Sequence, residues 1–220
     1  MKIQIKFAFL SAALAVFALP AIAQNTDASV QGSATASTPA ASASANGQVT
    51  GKTINQRKEN QQDRIANGVK SGELTAGETA NLEKKESNLN QEERDMRKLD
   101  NGKLTATDKA TLNQQQNQLS KQIYQDKHNA AEQNTNPKSE VGKRAENQQD
   151  RIAQGIKSGQ LTAGEAAHLE NNEARINQQV RADRQANGGK LTAKERAQVN
   201  REQNRQSRQI YRDKHNNKHQ

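Results

Sequence analysis

Thr75 and Glu78 stand three residues apart in "SGELTAGE". The same spacing recurs as Thr105 and Asp108 in "NGKLTATD", Thr162 and Glu165 in "SGQLTAGE", and Thr192 and Glu195 in "GGKLTAKE". A threonine followed at the third position by an acid is a capping box. Its hydroxyl accepts a hydrogen bond from a free N–H in the first helical turn, and the acid accepts from the threonine N–H. The preceding leucine can pack onto the helix, and the preceding glycine (Gly72, Gly102, Gly159, Gly189) permits the turn that ends the helix before. On this reading the phrase only starts helices.

A calcium loop is the other chemistry this lettering offers. With Gly102 at position 6, Leu104 falls at 8, Thr105 at 9 and Asp108 at 12, as calcium loops require. The units therefore resemble degenerate EF-hand loop–helix pairs, which implies a divalent-metal (calcium) sensor as one alternative. The first half of each loop departs from the pattern. Position 1 is Arg97, Asn67, Gln154 or Arg184, and position 3 of the second loop is Leu99. Few oxygen ligands remain, so a loop–helix shape without metal is the simpler expectation.

A third pattern is cationic. Arg201, Arg205, Arg208 and Arg212 fall at i, i+4, i+7 and i+11, on one helix face opposite Val199 and Ile210. Such a ridge attracts anionic partners such as phospholipid heads, lipopolysaccharide or an acidic protein. The plain alternative is a solvated helix face. Nucleic-acid recognition is not expected, because only Tyr124 and Tyr211 could stack on bases outside the amino-terminal segment.

Catalytic chemistry is not legible. His215 and His219 could share a helix face, but two imidazoles make only an adventitious metal site. There is no nucleophile elbow, phosphate loop, HExxH or CxxC. The expectation is a non-enzymatic protein with no catalytic residue, no cofactor and no specific metal site.

The elements that must position these residues follow from the rest of the chain. "MKIQIKFAFLSAALAVFALPAIAQ" has a short basic start, an apolar run and the Ala21-Ile22-Ala23 pattern of a cleaved export leader. Residues 1–23 read as that leader, which predicts a periplasmic or secreted protein with no transmembrane segment after cleavage. Residues 24–53 are rich in Ser, Ala, Thr and Gly and read as a disordered tether. The chain has no cysteine, and the leader takes all three phenylalanines, so any core is lean and aliphatic. The net charge of +9 includes two lysines of the leader.

Then comes a duplication. Arg57–Asn129 aligns without gaps on Arg144–Asn216, with 43 identities in 73 positions. "ENQQDRIA" and "QIYxDKHN" occur once in each copy. Neither copy contains proline, and good helix formers dominate both. Apolar spacing predicts helices near 55–70, 76–99 and 106–128, with counterparts in the second copy. The predicted architecture is all-α: two homologous three-helix units in tandem, at 54–129 and 144–216, joined by a polar linker at 130–143 and followed by a short tail at 217–220. The sparse core suggests docking between copies, an oligomer or a partner. The first copy carries 13 basic and 12 acidic residues and the second 14 and 9, so the charge difference lies in the second copy.

"LTAGE" and its counterparts also resemble the "LTxxQ" motif of Spy/CpxP-like periplasmic stress proteins, with an acid in place of Gln. That resemblance implies an envelope-stress, chaperone-like role on a cationic helical surface. The fuller pattern "RIAxGxxSGxLTxGExxxLE" is similar to small secreted proteobacterial proteins of unassigned function. The leading expectation is a binding or envelope-stress module that engages a protein or an anionic envelope component. A hydrophilic protective protein without a specific ligand is the remaining alternative.

Overall fold

The computed structural model describes residues 53–219. The expected leader and, but for Thr53, the Ser/Ala-rich segment lie outside the described residues. Six helices follow: α1 (Ile54–Ser71), α2 (Ala76–Leu99), α3 (Ala106–Lys127), α4 (Glu140–Lys157), α5 (Ala163–Ala186) and α6 (Ala193–Lys214). The described residues are all-α and contain no strand.

Side chains set where these helices begin. Thr75, Thr105, Thr162 and Thr192 each cap a helix, and in each case the third residue on completes the box. Thr53 and Gln56 form a fifth box, which draws the start of α1 to Ile54. Gly72, Gly102, Gly159 and Gly189 all take positive φ in the turns between helices, where a side chain would be strained.

The linker departs from expectation. Residues 140–143 belong to α4, because Ser139 accepts from the Gly142 N–H and Val141 is buried. The remaining connection is anchored. Gln133 donates its backbone N–H to the Gly72 carbonyl at 2.8 Å, and its Oε1 accepts from the Ala76 N–H at 3.2 Å.

Within the first half, α3 packs on both α1 and α2; within the second, α6 packs on both α4 and α5. The halves also pack on each other, α2 along α5 and α1 along α4. Ser87 on α2 faces Gly164 at the start of α5, while Gly77 at the start of α2 lines one groove with Ala174. The two helices therefore run antiparallel, as a two-fold relation between the copies requires. One apolar cluster crosses the junction, joining Ile65, Leu74, Leu82 and Ile123 to Ile152, Leu161, Leu169 and Ile210. A smaller cluster of Val141, Ile176, Val180 and Val199 lies in the second half. Burial shared across the junction enlarges a core that is lean in each copy alone.

Candidate functional site

The repeated "ENQQDRIA" supplies two adjacent buried glutamines that face different neighbours. Gln61 donates to the Gln116 carbonyl at 2.8 Å and to Ser120, tying α1 to α3; Gln148 does the same for α4 and α6 through Gln203 and Ser207. Gln62 donates to Glu83 at 3.1 Å, and Gln149 to Glu170 at 2.8 Å. Both acids are fully buried, as are Glu86 and Glu173 one turn further along α2 and α5.

Glu83 of α2 and Glu170 of α5 act on one another across the junction of the halves. Burial pushes Glu83 up to about 8, against the Gln62 hydrogen bond and with help from Glu86. Burial also raises Glu86 to about 7, opposed by Lys58 and reinforced by Glu93. Glu170 rises well above the carboxylate range for the same first reason, against the Gln149 hydrogen bond and with repulsion from Glu173 and Glu83. Glu173 rises to about 8 through burial. Sequence reading passed over these residues because Glu at every third or fourth position is ordinary on a solvated helix. The signal that could have found them is helical spacing: Glu86 lies four residues after Leu82 and three before Leu89, and Glu173 likewise relative to Leu169 and Ile176, on the apolar face.

The caps occupy the acids that a calcium loop would need. Glu78 Oε2 accepts from the Thr75 N–H at 2.9 Å and from its hydroxyl at 2.7 Å, while Oε1 accepts from Asn129 at 2.6 Å. Glu165 repeats this with Thr162 and Asn216. Asp108 accepts from the Thr105 N–H and Glu195 from the Thr192 N–H. Among the described residues no three His, Cys, Asp or Glu side chains converge as a metal would require.

The cationic ridge lies on the outer face of α6. Arg201, Arg205, Arg208 and Arg212 are all exposed, while Val199 and Ile210 are fully buried. The structure adds a second wall. Arg175 and Asn172 of α5 join Arg205, Arg208, Gln209 and Arg212 around a groove of about 370 Å³. Arg201 stands outside it. Four arginines face a single acid, Glu202, whose nearest approach is 4.0 Å from Arg205. Arg175 and Arg212 donate instead to the neutral amides Asn172 and Gln209. The matching groove of the first half, between α2 and α3, holds Lys85 and Glu92 among Asn88, Gln115, Gln118 and Gln122. Duplication has thus placed a groove between equivalent helices in each half, about 240 Å³ and neutral in the first and about 370 Å³ and strongly cationic in the second.

Among the described residues no helix is long and apolar enough to cross a membrane. Comparison with known protein families, with curated proteins and with solved structures finds no match.

Proposed function

We propose that the chain is a non-enzymatic binding module of the cell envelope that engages a phosphate-bearing anionic component through the groove between α5 and α6. The observation that carries this reading is the gathering of Arg175, Arg205, Arg208 and Arg212 around one groove whose counterpart is neutral. Guanidinium is the natural partner, since its planar fork meets phosphate oxygens two at a time. The amides of Asn172 and Gln209 hold two of these side chains without neutralising them. The leader-like amino terminus and the resemblance to envelope-stress proteins support the same compartment. The test is co-sedimentation of the full chain lacking its leader with vesicles containing phosphatidylglycerol and with zwitterionic vesicles. Binding to the first alone, reversed by salt and lost when the four arginines become Gln, supports the reading. Equal binding by the quadruple variant overturns it.

A further inference from the structure

Four carboxyl side chains are fully buried on the two helices that join the halves, Glu83 and Glu86 on α2 and Glu170 and Glu173 on α5, and Glu83 acts on Glu170 across the junction. Only Glu83 and Glu170 receive a hydrogen bond there, each through one oxygen. Oε1 of Glu83 and of Glu170, and both oxygens of Glu86 and of Glu173, find no donor among the described residues. The charged groups acting on the four are Lys58 from α1, Glu93 from α2 and the other members of the quartet. On the second half Gln149 of α4, a neutral group, donates to Glu170, and Ala145 stands where the first half has Lys58. A carboxylate enclosed without donors is strongly unfavourable, so such a group stays protonated or moves into water. The halves meet along α2 with α5 and α1 with α4, while α3 packs on α1 and α2, and α6 on α4 and α5.

We infer that the junction of the halves is a proton-dependent latch: it is closed while its four glutamates are protonated and opens when they ionise, parting the chain into two three-helix bodies held by residues 128–139. The latch is asymmetric. Lys58 acts on Glu86, and among the described residues no cation acts on Glu173, so the second half dominates opening. Each carboxyl that must ionise to open weakens the closed form by up to about tenfold per pH unit.

The chain has no cysteine, so a distance probe is straightforward to install. Lys84 and Asn171 are exposed and occupy equivalent places on α2 and α5. With Lys84→Cys and Asn171→Cys labelled for energy transfer, the full chain lacking its leader is titrated from about pH 5 to about pH 9, with helix content followed in parallel. The expected result is a longer separation at the alkaline end with helix content retained. Glu173→Gln should move that transition to higher pH, and replacement of all four glutamates by Gln should abolish it. A separation that does not change with pH overturns the inference. So does loss of helix content in step with the separation, which would mean that the whole molecule unfolds instead of parting at the junction. Should the fourfold variant fail to fold, the wild-type titration and Glu173→Gln decide the matter alone.

Discussion

Lys58 and Glu93 form an ion pair at 3.0 Å between α1 and α2, and the second half has Ala145 and Val180 at the same two places. One half holds these helices together by charge, whereas in the other Val180 joins an apolar cluster with Val141 of α4. Arg97 also grips Glu93, at 2.7 Å. Burial works against ionising Glu93, but the hydrogen bonds from Arg97 and Lys58 outweigh it and hold the carboxyl below its ordinary range.

Lys58→Ala should therefore destabilise the protein by about 1–3 kcal/mol, since it leaves a mostly buried carboxylate with one cation instead of two. Lys58→Ala combined with Glu93→Val copies the second half and should recover most of that loss. Urea unfolding of the two single variants and the double variant measures the coupling.

The buried quartet sets the response of stability to alkali. Glu83, Glu86, Glu170 and Glu173 all have folded-state values above the unfolded one. The folded chain then holds more protons than the unfolded chain, and stability falls as pH rises. For Glu83, Glu86 and Glu173 the contribution is full below about pH 4.5 and is lost progressively up to about pH 8, and Glu170 acts in the same direction. Glu173→Gln should raise the melting temperature near pH 8 by several degrees and change it little near pH 5. An equal effect at both values would count against this account.

The acid side has the opposite sign. The carboxyls of Glu93, Asp108 and Glu195 are held below their ordinary values, the last two by hydrogen bonds from Thr105 and Thr192. Their stabilisation is present above the unfolded value and disappears as pH falls through the lowered folded one. Asp108→Asn and Glu195→Gln should flatten the acid limb of a melting-temperature profile relative to wild type.

Cap removal is a local test of the fourfold phrase. Thr75→Ala and Thr162→Ala should each cost about 1 kcal/mol, and Thr75→Ser and Thr162→Ser much less, because serine keeps the accepting oxygen. Chemical denaturation checks both. The melting temperature of wild type should not respond to calcium, because both oxygens of Glu78 and Glu165 already accept hydrogen bonds.

Gly68 and Gly155 lie inside α1 and α4, where alanine would ordinarily help a helix by about 1 kcal/mol. An added Cβ would come within 2.7 Å of Leu74 or of Leu161, both fully buried. Gly68→Ala and Gly155→Ala should destabilise by about 1–3 kcal/mol through overpacking. Gly77→Ala, whose Cβ would meet nothing within 4 Å among the described residues, should be neutral or stabilising. Thermal melts of the three variants separate the two effects.

Much of the helical framework is local and was legible in the sequence. Capping boxes, glycine turns and apolar spacing act within a few residues, so they predict helices at 76–99 and 106–128 to within one residue of those observed. The arginine stripe was readable for the same reason, since helical spacing alone puts Arg201, Arg205, Arg208 and Arg212 on one face. Tertiary structure decided everything that depends on which faces meet. Arg175 became a groove residue only because α5 packs beside α6. Gln61 and Gln62 look alike in the sequence, yet one bonds to α3 and the other to α2. The plainest case is the glutamate quartet. A glutamate on a helix ordinarily belongs in water, and no local signal sends it inside. Burial of Glu83, Glu86, Glu170 and Glu173 depends on which helices meet, and the packing of α2 on α5, whose equivalent residues lie 87 apart, is encoded by no local rule.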